Sequence, residues 1–316
     1  MSKRPTLVSG TSVAAAIAAL ALVALPALAA DVGSAWQTLT PGGETVCSNG
    51  TPYTFYAREK SPTKLLVHLQ GGGGCWFGGN CDLRAQPTYD PYTDESDNPT
   101  GRSGIFDLEN AANPVADFSM VFVSYCTADV HLGDVVRTYE SRDESGATRK
   151  VEIHHRGLTN GKTALAWAYQ RFDAPEQIVV TGSSAGAIAA PFYAGMLADH
   201  YPKARISVFA DAAGGYHTPK VTEILRTWGT IEVAKGLPQY RGVDTATMDF
   251  ETLFAVEAAR LDGSTFTQYN THGDAVQLQF LALLGVTGTP LIELIDKNHA
   301  EIRDATSNLK VFTEEG

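Results

Sequence analysis

Residues 177–201 read QIVVTGSSAGAIAAPFYAGMLADHY: a β-rich apolar run, a Gly-Ser-Ser-Ala-Gly turn, and a long run of small and apolar residues, with no charge between Ile178 and Ala198. A strand that is apolar at consecutive positions needs cover on both faces, and a helix without a polar side has to be buried as well. The turn between them is too short to be a loop. Such a unit belongs in a parallel sheet, where a helix returns the chain over one face before the next strand begins.

The same alternation runs through the chain. Apolar runs of strand length recur as KLLVHLQ (64–70), FSMVFVSY (118–125), RISVFAD (205–211) and STFTQYN (264–270), all read as strands covered on both faces, and helical stretches are expected at 160–172, 219–236 and 275–285. The fold class expected is α/β, with a mostly parallel central sheet and helices on both faces. The chain has 316 residues, 44% hydrophobic and 19% charged, without internal repeats, so residues 31–316 are read as a single domain. Residues 79–116, rich in Asp, Asn, Pro and Gly, exceed any tight connection and are expected to form an excursion over the sheet edge.

Residues 1–30 stand apart from the domain. Lys3 and Arg4 precede an apolar run that ends in Ala-Leu-Ala-Ala before Asp31, the pattern of a secretory signal peptide. Its strongly apolar part is shorter than the ~20 residues of a spanning helix. A secreted or periplasmic protein without stable membrane anchoring is therefore expected. Loss of Lys3 and Arg4 takes the formal charge from -11 to -13, which argues against a nucleic-acid partner held through clustered Lys and Arg. Four cysteines remain, Cys47, Cys75, Cys81 and Cys126, an even number that in an exported chain favours two disulfides over zinc. Three pairings are possible; Cys75 with Cys81 and Cys47 with Cys126 is the one expected.

Two separated segments carry the chemistry. Gly182-Ser183-Ser184-Ala185-Gly186 follows a strand and opens a helix, the setting that a G-x-S-x-G nucleophile turn requires, and it offers the Ser184 hydroxyl at the carboxyl edge of the sheet. Far upstream, LVHLQGGGGCWFGG sets four glycines directly after another strand. Backbone N–H groups of Gly72 and Gly73, with that of Ala185, would stabilise the negative oxygen of a tetrahedral acyl intermediate. A phosphate cradle is disfavoured, because no Lys-Ser/Thr follows the glycines. The acid should lie later in the chain, and Asp274, after the strand at 264–270, is preferred over Asp211, which ends the strand at 205–211. Trp76, Phe77, Tyr89 and Tyr92 could stack on sugar rings or wall an acyl pocket.

Taken together, CSNGTPYTFYAR, LLVHLQGGGGCW, VFVSYCTADVHLGD, GSSAGA and YNTHGDAVQ resemble the pectinacetylesterase family, which includes the Notum-related serine carboxylesterases. The resemblance spans most of residues 31–316 and points to an exported, bacterial-type member. It implies an α/β-hydrolase-like fold and serine carboxylesterase chemistry with no metal or other cofactor. Ser184 matches the family nucleophile, and Asp274 the family acid in its Asp-x-x-Gln setting. Plant-type members often read GGGWC where this chain reads Gly72-Gly73-Gly74-Cys75-Trp76.

A serine nucleophile needs a base, and each histidine meets an objection. His68 lies inside a strand, and His131, His154 and His155 precede Ser184 in the chain. His200 ends the helix that begins beside Ser184, ~24 Å away at 1.5 Å per residue. His272 is two residues from Asp274, His299 is read as a solvated helical residue, and His217 is the fallback. The family places its histidine a few residues beyond the final strand. Here that strand is NLKVFTEEG, so the base is expected just past Gly316 and the domain is expected to be incomplete there. Two functions follow: an exported hydrolase acting on a small acyl ester or acetylated glycan, or a non-catalytic carbohydrate- or lipid-binding relative lacking the triad histidine.

Overall fold

The central strands form where the sequence offers unbroken apolar runs. In β3 (Lys64–Leu69) and β4 (Ser119–Val123) every residue after Lys64 is buried, and both lie inside an eight-stranded sheet. The computed structural model describes Met1 and residues 35–315, so the expected signal peptide lies outside the described residues. The remaining strands of the sheet are β1 (Gln37–Leu39), β2 (Phe55–Arg58), β7 (Gln177–Ser183), β8 (Arg205–Asp211), β9 (Thr265–Thr271) and β10 (Leu309–Glu314). Their order is β1-β2-β4-β3-β7-β8-β9-β10, with β1 and β2 antiparallel to their neighbours and all later pairings parallel. This is the expected α/β class, with a mostly parallel sheet.

Helices α2 (Gly157–Tyr169), α3 (Ala185–His200), α6 (Phe250–Arg260) and α8 (Leu291–Ala305) contribute to the main core with Leu65, Val67, Val121, Ile178, Val180, Val208 and Phe266 of the sheet. Phe106 and Val115 of the expected excursion, with Phe118 just beyond it, pack on Tyr56, Leu66, Met120 and Phe122, which forms a second, smaller core. Cover on both faces fails for β8: Ile206, Val208 and Ala210 are buried, whereas Arg205, Ser207 and Phe209 are exposed. The small core reaches no further along the sheet than β7, through Val179.

Other departures have local causes. The single helix expected over 219–236 is two, α4 (Lys220–Thr227) and α5 (Thr230–Lys235), because Gly229 turns the chain at φ +79° where a Cβ would collide with Val135. Helix α6 is capped by Asp249, whose carboxylate accepts from Thr252 N–H at 2.8 Å. A separate hairpin, β5 (Val135–Arg142) with β6 (Thr148–His155), carries the short helix α1 (Gly78–Cys81) against it, and Arg149 of the hairpin pairs with Asp82. Helix α7 (Ala275–Leu283) follows β9.

The disulfides are Cys47–Cys126 and Cys75–Cys81, the expected pairing. The first spans a sequence separation of 79, and closing a loop of that length contributes about 4 kcal/mol in the chain-entropy account. Replacing both Cys47 and Cys126 by Ala is therefore expected to lower the unfolding free energy by about 4 kcal/mol. Guanidinium unfolding without reductant measures it; a loss under about 1 kcal/mol would show that the unfolded chain gains little from the cut.

Candidate active site

Strand β7 enters α3 through one residue. Ser184 sits at φ +50° and ψ -117°, a backbone conformation that L-residues with a Cβ rarely adopt. The glycines on either side explain the pentapeptide: a Cβ on Gly182 would run into the backbone of Gly186, and one on Gly186 into the carbonyl of Leu69. The turn is fastened to the next strand, since Ser184 N–H donates to Asp211 O at 2.7 Å. Its side chain is left at the first turn of α3, where backbone N–H groups lack helical partners.

The glycine loop lies against this turn. A Cβ on Gly71 would stand 3.2 Å from Ser184 Cβ. Gly73, Ser184 and Ala185 line one cavity whose walls are apolar: Trp76, Val130, Ile188, Tyr216, Ile224, Trp228, Phe250, Phe280 and Leu284. Gly72 seats on the ring of Tyr125 beside it. Among the described residues, the N–H groups of Gly72, Gly73 and Ala185 have no hydrogen-bond acceptor. Of the aromatics singled out in the sequence, Trp76 walls the cavity, Phe77 and Tyr92 are exposed, and Tyr89 is buried with its hydroxyl 3.0 Å from that of Ser48.

Asp274 caps α7. Its Oδ1 accepts from Val276 and Gln277 N–H at 2.9 and 3.0 Å, and its Oδ2 from Gln277 Nε2 at 3.0 Å. Gln277 is buried and its Oε1 accepts from Gly215 N–H at 2.8 Å, which ties the acid to the loop carrying Tyr216. Burial and then the charge of Asp274 push the carboxyl of Asp211 above its usual range, and the same two causes raise Tyr216. Asp274 thus lies within electrostatic reach of a cavity wall and of the residue that fastens the serine turn.

A family model described as Pectinacetylesterase matches residues 38–233. The chain belongs to the pectinacetylesterase family. The matched span includes Gly72, Gly73, Ser184 and Ala185, while Asp274 falls beyond it. Similar proteins are a Xenopus laevis palmitoleoyl-protein carboxylesterase, notum1, 26% identical over 205 residues (60% of this chain, 40% of that protein), and human NOTUM, a palmitoleoyl-protein carboxylesterase, 33% identical over 91 residues (28% and 18%). A Danio rerio protein named inactive palmitoleoyl-protein carboxylesterase notum1b is 32% identical over 104 residues, covering 32% of this chain and 74% of it. The matched segments therefore span well under half the length of the frog and human proteins.

No histidine among the described residues is hydrogen-bonded to Ser184 or Asp274. His68 bonds Thr181 Oγ1 at 2.8 Å, His155 the Tyr139 hydroxyl at 2.7 Å, and His131 the carbonyl of Gln70 at 2.8 Å. Burial pushes the last two imidazoles down to about 4. His200 stacks on Tyr169, and the fallback His217 is held by Glu251 at 3.2 Å, which raises its pKa. His299 is buried rather than solvated, on the face of α8 that also buries Leu294, Ile295 and Ile302.

The cavity walls escaped sequence reading, because Val130, Ile188, Ile224 and Phe280 look like any core residue. Trp228 carried a signal: a buried indole needs an acceptor, and its Nε1 donates to Cys75 O at 2.7 Å, beside the glycine loop.

Proposed function

We propose that the protein is an exported serine carboxylesterase that hydrolyses acyl oxygen esters through an acyl-Ser184 intermediate. The observation that carries this reading is the strained Ser184 turn opening, together with Gly73 and Ala185, into one apolar cavity. Ser184 Oγ attacks the ester carbonyl while a histidine takes its proton; the carbonyl oxygen turns negative and is met by the N–H groups of Gly72, Gly73 and Ala185. The alcohol leaves with that proton. Water then attacks the acyl-serine, the histidine again removing a proton, and the carboxylic acid departs. Asp274 orients the histidine. The parallel pairing of Glu314 with Thr271, and the bond from His272 N–H to Glu314 O at 2.9 Å, bring the end of β10 beside the Asp274 loop. A histidine on chain leaving that end is the base we propose.

The cavity suits acyl groups from acetyl upward. Each methylene it buries contributes about 0.8 kcal/mol, or ~4-fold in kcat/KM. p-Nitrophenyl butyrate and hexanoate are expected to outpace acetate by about that factor per methylene. A flat or falling series would restrict the enzyme to acetyl. The alcohol side is proposed to be a small alcohol or a neutral acetylated glycan, because a formal charge of -13 on residues 31–316 repels polyanions.

Sequencing the coding region past Gly316 and assaying the protein from its complete coding region tests the reading. A downstream histidine whose Ala variant is inactive upholds it. A stop codon after Gly316, with no covalent labelling of Ser184 by a fluorophosphonate, would leave the non-catalytic carbohydrate- or lipid-binding reading.

A further inference from the structure

Four carbonyls of the glycine loop are each taken by a side chain from elsewhere in the chain. His131 Nε2 bonds Gln70 O at 2.8 Å, the Tyr125 hydroxyl donates to Gly73 O at 3.0 Å, the Thr88 hydroxyl to Gly74 O at 2.6 Å, and the Trp228 indole to Cys75 O at 2.7 Å. Two of them, His131 and Tyr125, bracket Gly71–Gly73. Both are buried, and their rings meet at a tilt of 34° with centroids 4.6 Å apart. Gln70 O can only accept, so Nε2 of His131 carries the hydrogen; burial, which pushes its pKa down to about 4, keeps the ring neutral. The Tyr125 ring also forms the seat of Gly72, where a Cβ would stand 2.7 Å from its Cδ1.

The segment that delivers His131 is strained. Ala128, Val130 and His131 have φ of +59°, +49° and +61°, and a valine there is a genuine outlier. Such strain persists where the surroundings over-determine it. Here the buried Asp129 carboxylate accepts from the Thr127 hydroxyl at 2.6 Å, Gly157 N–H at 2.8 Å and His131 N–H at 3.2 Å, and Val130 N–H donates to the Tyr125 hydroxyl at 2.8 Å.

We infer that Tyr125 and His131 are positioning residues that clamp the peptide units Gln70–Gly71 and Gly73–Gly74, and so hold the N–H groups of Gly72 and Gly73 toward the cavity beside Ser184. In a planar peptide the C=O and N–H point oppositely, so fixing the two outer units limits how the two inner ones can turn. Glycine alone would not hold them, having the largest conformational freedom of any residue. The inference rests on the donor role proposed above for Gly72 and Gly73.

The test compares Tyr125→Phe, which keeps the ring and removes the hydroxyl, with Tyr193→Phe. Tyr193 donates to His131 O at 3.0 Å from the same buried cluster but makes no hydrogen bond to the glycine loop. In Tyr125→Phe, amide hydrogen exchange across 70–76 is expected to speed at least ~10-fold, as clamped amides open locally. Its kcat should fall ~10- to 100-fold with KM within about twofold, and affinity for a trifluoromethyl ketone should fall with kcat, the signature of an interaction made in the transition state. Tyr193→Phe should leave kcat within about threefold. If Tyr125→Phe does not fold, His131→Asn, tolerant of the left-handed backbone but too short to reach Gln70, opens the other end by the same readouts. Unchanged exchange across 70–76, or equal kcat losses in Tyr125→Phe and Tyr193→Phe, overturns the inference. Exchange is read whether or not the protein hydrolyses esters, so an inactive wild type would overturn the esterase reading alone.

Discussion

Ser184→Ala is expected to lower kcat on p-nitrophenyl esters by at least ~10³-fold while the protein stays folded. The remaining rate comes from binding and the backbone donors, which in serine hydrolases keep a residual acceleration once the nucleophile is gone. Stability should barely move, because the Ser184 side chain makes no hydrogen bond among the described residues and a surface-like substitution without such a feature stays within about 0.5 kcal/mol. Ser184→Gly sharpens the test. Glycine adopts the φ of +50° freely, so this variant is expected to be inactive yet more stable by about 1–3 kcal/mol, the cost of holding a non-glycine residue there. Steady-state kinetics and thermal unfolding read both variants. Hydrolysis within tenfold of wild type in Ser184→Ala would sink the nucleophile assignment.

Asp274→Asn is expected to cost ~10²- to 10⁴-fold in kcat, because an amide cannot hold the histidine in the tautomer that accepts the serine proton. Asn keeps an oxygen for the Val276 and Gln277 N–H groups and so preserves the cap of α7. Its amide nitrogen would then face Gln277 Nε2, and Gln277 cannot turn over because its Oε1 is engaged by Gly215 N–H. A stability loss of about 1–2 kcal/mol, the scale of an unmet buried donor, should accompany the kinetic loss. Asp211→Asn serves as the comparison, since its backbone carbonyl, and not its carboxyl, fastens Ser184. Equal losses in the two variants, or a larger one at Asp211, would move the acid to β8.

Much of this site is legible in the sequence where a residue type has one physical use. Gly182 and Gly186 flanking Ser184 permit a turn that a Cβ would block, and the structure places the turn at the end of β7. Asp274 after β9 also follows from order along the chain, and the disulfides take the pairing expected out of the three possible. Other features lack such a signature. Nothing in Ala128, Val130 or His131 announces a left-handed backbone, which is imposed by Asp129 and Tyr125 from within the fold. The one-faced burial of β8 depends on how far the small core over β3 and β4 extends, a property of packing. Buried His299 was accessible to reading by helical spacing, since it falls on the stripe of Leu291, Leu294, Ile295 and Ile302.

The two disulfides also bear on when the site can assemble. Cys75 directly follows the glycine run, and Cys126 directly precedes the strained segment that carries His131. Both lobes of the oxyanion site proposed above are thus sutured by thiol oxidation, a reaction the cytosol disfavours. A newly made chain in a reducing cell would hold its serine turn without a firm partner loop, and gain full strength only after oxidation. On the export and esterase readings proposed above, compartment chemistry would act as a propeptide does in a zymogen, sparing the producing cell's own acyl esters until the protein has left it.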